Sequence, residues 1–137
     1  VKELKHLIHF SKPTVFDEKT LRSILSTSRE NNSKTDVTGA LICRADLYFQ
    51  YLEGPIEAIN ETFENIKRDT RHFEIQKVKE DFTTRRLFAS WAMRQDPVHT
   101  WMWSKAEVKS GVLTRITAND AFATFERLSR EVDQFIF

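Results

Sequence analysis

Cysteine, glycine and proline are scarce in this chain, with one, three and three among 137 residues, and no stretch stays apolar for long. Each shortage excludes something. A single thiol, Cys43, allows no internal disulfide and no cysteine pair for a metal. It lies in the apolar run GALIC and is read as a core thiol, since free cysteine behaves as a small buried hydrophobe. Three glycines leave no glycine-rich phosphate loop. There is no nucleophile elbow either, and His6, His9, His72 and His99 form no metal-ligand cluster. No apolar run reaches the roughly 18 residues of a membrane span, and no charged-then-apolar leader is present, so a soluble, cytoplasmic protein is expected. An excess of one charge is also missing. The 21 basic and 20 acidic residues are interspersed and leave a formal +1, so neither nucleic acid nor a membrane is an expected partner.

What the chain does have is a core. At 40% hydrophobic content with eleven Phe, it suits one compact domain. LKHLIHFS reads as a strand apolar on both faces, bounded by Lys12-Pro13. DEKTLRSILSTSRENN reads as a helix with Leu21, Ile24, Leu25 and Ser28 on one face, Asp17 as N-cap and Phe16 placed to staple onto Leu21. DVTGALICR and LYFQYLEG form a hairpin turning near Ala45-Asp46. Pro55 opens a second helix at its first position, and Ile56, Ile59, Phe63 and Ile66 make its stripe. FEIQKVKEDF alternates like a half-solvated strand, and RRLFASWAM is expected as a further strand ending near Arg94. Beyond QDPVHT come a loop with a short helix and then a longer helix, capped by Asn119, with Phe122, Phe125, Leu128 and Val132 on one stripe.

The order β-α-β-β-α-β-β predicts an α+β fold: a ferredoxin-like sheet with an extra strand, two helices on one face and C-terminal helices covering the other. WMW at 101–103 reads as packing for that C-terminal cap, or alternatively as a subunit contact. The FIF end would dock on the sheet or on a neighbouring copy.

Within LYFQYLEG, Gln50 stands out. Alternation puts Tyr48, Gln50 and Leu52 on one face and Leu47, Phe49 and Tyr51 on the other, so the amide is buried either way. A buried amide needs a partner. Two readings stay open: a structural bond to backbone or to a side chain such as Thr38, or recognition of a heterocycle's polar edge. Asn31-Asn32 closes the first helix, where one Asn would serve as a left-handed cap and two exceed what a cap needs. Asp69, Arg71 and His72 follow the second helix, where a loop Arg and His would meet a phosphate, while Lys67 and Arg68 complement the helix dipole.

The runs SRENN…DVTGAL, FQYLEGP, RDTRHFEI and RRLFASWAM closely resemble, in order and spacing, the BLUF domains, which sense blue light using FAD. The resemblance spans roughly Leu4 to Met93 and implies a flavin held between the two helices. It implies that Asn32, with Asn31 beside it, bonds the ring's N3/C4-carbonyl edge. Gln50 would face N5 and the C4 carbonyl as the switch element, and Asp69, Arg71 and His72 would contact the ribityl and phosphate end. FAD is the expected flavin, with FMN or riboflavin as alternatives. Met93 lies on the signal-transmitting strand, with Trp91 either moving with it or packed in the core.

One departure concerns the switch. Where the family's first strand carries a Tyr, the hydroxyl partner of the Gln and the electron and proton donor to the flavin, this chain has His9. Imidazole keeps a hydrogen bond to the amide but is a poorer electron donor. Asn65 is a lesser departure, where relatives present a basic residue. The resemblance implies a short, stand-alone, non-enzymatic photoreceptor with residues 1–96 as flavin domain and 97–137 as helical extension. It would form homo-oligomers and signal to a separate regulatory protein. The alternative is a light-inert flavin-binding regulatory module. A hydrolase using Arg71, His72 and Asn32 is the remaining rival and lacks a nucleophile.

Overall fold

The computed structural model describes residues 3–133. Five strands and four helices follow in order: β1 Leu4–Pro13, α1 Glu18–Thr35, β2 Thr38–Arg44, β3 Leu47–Gly54, α2 Ile56–Arg68, β4 His72–Thr83, β5 Arg94–Pro97, α3 Lys105–Lys109 and, after a 3₁₀ turn, α4 Ala118–Asp133. The strand order is β4-β1-β3-β2-β5. This is the expected ferredoxin-like sheet with an added strand.

Topology explains where a cleft must form. β1 and β2 both run antiparallel to β3, so they are parallel to each other and α1 crosses over β3. β3 and β4 both run antiparallel to β1, so α2 crosses over β1. Right-handed crossovers place both helices on the same face. The seam between them therefore lies above the β1/β3 pair, where His9 stands directly opposite Gln50.

Two cores sandwich the sheet. Leu7, Leu41, Tyr48, Leu52 and Met93 pack with Leu25, Ile59 and Phe63 on the α1/α2 side. Ile8, Phe10, Ile42, Phe49 and Tyr51 pack with Phe125 and Leu128 of α4 on the other. Alternation on β3 is as the sequence predicts. Complete burial of a Phe or Leu side chain contributes about 1.5–3 kcal/mol, so α4 is a full partner of the sheet. Trp101 and Trp103 are partly buried against this second core, which favours the packing reading of WMW. Val132 and the FIF end lie outside the described side chains.

Asp17 caps α1 by accepting from the Thr20 amide, as expected. Phe16, the expected staple, is 40% exposed and its ring lies 6.3 Å from Tyr48. The helix does not close at Asn31-Asn32. It runs to Thr35, and Asp36 takes the left-handed cap at φ 61°, its amide bonding the Asn32 carbonyl. Asp tolerates this region because its short polar side chain bonds locally. Pro55 stands one residue before α2 as its N-cap. Thr117, not Asn119, caps α4: its hydroxyl accepts from the Asp120 amide at 3.1 Å.

The largest correction is RRLFASWAM. Residues 85–93 form bends and turns, and β5 begins at Arg94, where that strand was expected to end. The cause is a buried carboxylate. Glu53 accepts from the Leu87 amide at 2.7 Å and from the Phe88 amide at 2.8 Å, which removes those donors from any ladder. The Thr38 hydroxyl also donates to Glu53, so Thr38 is not the partner of Gln50. Only at Arg94 does pairing resume, parallel to β2.

Candidate functional site

Two adjoining hollows occupy the seam between α1 and α2. The inner one, about 420 Å³, includes His9, Tyr48, Gln50, Ile24, Ile66 and Arg71 in its wall. The outer, about 570 Å³, is bounded by Asn31, Asn32, Gln50, Thr62 and Asn65. Both open to solvent and share Ser28, Gln50, Ile66, Asp69 and Arg71.

At the floor, His9 Nε2 lies 2.7 Å from Gln50 Oε1. An amide oxygen only accepts, so Nε2 carries the proton and donates. The other end of the amide donates to Met93 Sδ at 3.4 Å. Burial pushes the His9 imidazole down to about 4, so it is neutral near pH 7. The neutral ring with hydrogen on Nε2 leaves Nδ1 as a bare acceptor. That atom is buried and has no partner among the described residues.

Met93 is positioned by its backbone. The carbonyls of Trp91, Ala92 and Met93 accept from the Gly39 amide at 3.0 Å, Asn32 Nδ2 at 2.8 Å and Arg29 Nε at 3.0 Å. Met93 is thereby directed into the core while Trp91, 38% exposed, lies at the surface. The core-packing reading of Trp91 does not hold, and Trp91 lines neither hollow.

At the other end, Arg71 forks onto Asp69, with Nη2 2.6 Å from Oδ2 and Nε 2.9 Å from Oδ1, and reaches Ser23 Oγ at 3.1 Å. This guanidinium holds the Asp69 carboxyl below its usual range. His72 Nε2 donates to the Ile66 carbonyl at 2.6 Å, so its Nδ1 accepts from Ser11 Oγ, also at 2.6 Å. The structure thus gathers Asn31, Asn32, Gln50, Asp69, Arg71, His72 and His9 around one cleft, while Met93 lines neither hollow and joins the site through its contact with Gln50. Asn31 and Asn65 are exposed at its outer rim.

Sequence reasoning missed Glu53 and Arg29. Glu53 carried the signal that Gln50 carried, a polar group in an apolar strand. Arg29 sits on the exposed side of a helix and offered none. Among the described residues no group of three His, Cys, Asp or Glu side chains is placed to hold a metal, and no helix is long and apolar enough to cross a membrane.

The residues fit a planar heterocycle: Ile24 and Ile66 supply apolar walls from opposite helices, and Gln50 and Asn32 supply amides at one end. Fold and cleft together define an α+β domain of the ferredoxin-like type with a ligand cleft between its first two helices. Residues 4–94 match the model of the BLUF family, sensors of blue-light using FAD, and the chain belongs to that family of flavin-binding photoreceptor modules. It is 32% identical over 75 residues to the blue light- and temperature-regulated antirepressor BluF of Escherichia coli (strain K12), a match covering 55% of this chain and 19% of that protein. Among solved structures it is similar to BlrB, described as a BLUF protein in its dark state (TM-score 0.76, 26% identity, 94% of this chain and 97% of that one). It is also similar to a bacterial light-regulated adenylyl cyclase (TM-score 0.66, 25% identity), covering 97% of this chain but 36% of the cyclase.

Proposed function

We propose that this chain is a blue-light sensor module that binds FAD non-covalently in the α1/α2 cleft and signals to a separate regulatory protein through hydrogen bonds around Gln50. The observation that carries the reading is the buried chain His9 Nε2, Gln50, Met93 Sδ at the cleft floor, with bonds of 2.7 and 3.4 Å. Asn32, with Asn31 beside it, would bond the N3/C4-carbonyl edge of the ring, and Gln50 would face N5 and the C4 carbonyl. Asp69, Arg71 and His72 would take the ribityl and phosphate end. FMN and riboflavin share the ring and ribityl and are accommodated by the same groups. The flavin supplies blue-light absorption and, when excited, a strong electron acceptor.

The rest is done by the protein. A switch needs Gln50 to have two comparably good orientations. Turning the amide over would point its NH₂ at the Nε2–H of His9 and its oxygen at Met93 sulfur, which has no hydrogen to give. Imidazole answers only by moving its proton from Nε2 to the buried Nδ1. A phenol avoids this, because one oxygen both donates and accepts. One misplaced buried hydrogen bond costs about 1–3 kcal/mol, so His9 biases Gln50 toward one orientation.

That bias supports a second reading, a flavin-loaded regulatory module with altered or absent photochemistry. Output is assigned to residues 97–137, whose α4 covers the opposite face, acting through contacts with a separate regulatory protein in a homo-oligomeric assembly. The deciding experiment is an absorption spectrum in darkness and under blue light, with FAD added if the protein is colourless. A red-shifted band that relaxes in darkness establishes the photosensor. A band that only bleaches or stays fixed establishes the inert module, and no flavin uptake overturns both.

A further inference from the structure

The inner hollow holds a phenol that the fold itself does not use. Tyr48 is 4% exposed, and its Oη is buried with no hydrogen-bond partner among the described residues. A buried hydroxyl left unpaired costs stability, so its presence calls for a partner from outside the fold. Its place narrows what that partner is. Tyr48 shares a face with Gln50 but sits two residues along β3, about 7 Å away, beyond reach of a group bonded to Gln50. Its strand neighbours are Ser11 and Cys43. Ser11 bonds His72, so Tyr48 lies at the Ser11–His72–Arg71 end of the hollow. The polar groups there are already engaged: Ser11 with His72, His72 with the Ile66 carbonyl, and Arg71 with Asp69. Tyr48 is a pre-placed donor beside them that has nothing to bond.

We propose that Tyr48 is a binding residue for the flavin's polyol chain, its O–H donating to a ribityl oxygen. This rests on the flavin reading above and adds a contact to it. Riboflavin carries the ribityl chain, whereas lumiflavin has the same ring without it, so the pair isolates the contact.

The test is Tyr48→Phe in the full chain, which keeps the ring and removes only the hydroxyl. Dissociation constants for riboflavin and lumiflavin are measured by fluorescence quenching, together with the melting temperature of the flavin-free protein. The riboflavin constant is expected to rise roughly three- to tenfold, the lumiflavin constant to stay unchanged, and the flavin-free melting temperature to stay level or increase. An unchanged riboflavin constant overturns the proposal. So does an equal loss for both flavins, which would put the contact at the ring, or a lower melting temperature, which would mean that the hydroxyl serves the fold. If the unaltered protein binds neither flavin, the flavin reading itself fails and takes this contact with it. If it binds both and the substitution changes nothing, only the Tyr48 assignment falls.

Discussion

In the proposed function the chemistry turns on His9, whose properties follow from where it sits. It faces the α1/α2 core, pairs in register with Gln50 and is held neutral by burial. His9→Tyr should therefore keep the bond to Gln50 while restoring an atom that both donates and accepts. Difference spectroscopy is expected to show a reversible red-shifted state in that variant. Flavin uptake without one would sink the role given to position 9. Acid supplies a second check. In the unfolded chain the imidazole binds a proton below about pH 6.5, whereas in the fold it resists until about 4. The unfolded state therefore binds more protons in that window, and stability falls as pH drops from about 6.5 to 4. The loss attributable to this ring is on the order of 3 kcal/mol when complete. Urea unfolding at pH 7 and pH 4.5 should show a smaller drop for His9→Gln, which has no proton to gain, than for the unaltered protein.

Between the strands, a buried carboxylate organises what the hydrophobic pattern alone mispredicts. Leu87, Phe88, Ala92 and Met93 make RRLFASWAM look like a strand, and periodicity cannot register that Glu53, 34 residues before Leu87, takes two of its amides. The helices and the hairpin were legible because their signals are local: a 3.6-residue stripe, an Asp cap, a short turn between apolar runs. The cleft was legible only in part. Gln50 announced itself as an amide among apolar residues and His9 was reached as its partner through the family resemblance, whereas the Met93 contact is set by a loop that composition does not describe. Glu53→Gln should cost about 2–4 kcal/mol, because an NH₂ then faces an amide N–H. Faster hydrogen exchange at Leu87 and Phe88 would locate the damage; unchanged exchange there would refute the anchoring role. Gly39 is constrained more tightly still. A Cβ at that position would lie 2.0 Å from the Tyr51 carbonyl oxygen, and backbone cannot step aside. Gly39→Ala is expected to lose about 3 kcal/mol or more in chemical denaturation.

At the scale of the molecule, the sheet is a shared wall between a ligand cleft and a helical cap. Phe125 of α4 meets Phe49 at 5.0 Å and Tyr51 at 5.5 Å, and Gln50, between those two residues in sequence, faces the other side. Phe125→Ala should cost about 3–5 kcal/mol by calorimetry or urea titration, with a smaller loss showing that α4 is not integral to the fold. A polar clasp joins the end of β5 to α4. Arg94 pairs with Asp96 at 2.8 Å, His99 lies 3.6 Å from Glu131, and Trp101 donates to Glu131 at 3.3 Å beneath the Arg127 guanidinium. The approach to this clasp is the stretch whose three successive carbonyls are fixed by Gly39, Asn32 and Arg29. Asn32 and Arg29 belong to α1, one wall of the cleft. Thermodynamic reciprocity then sets a rule for any regulator that grasps β5: by whatever factor a molecule bound in the cleft changes the regulator's affinity, the regulator changes that molecule's affinity by the same factor.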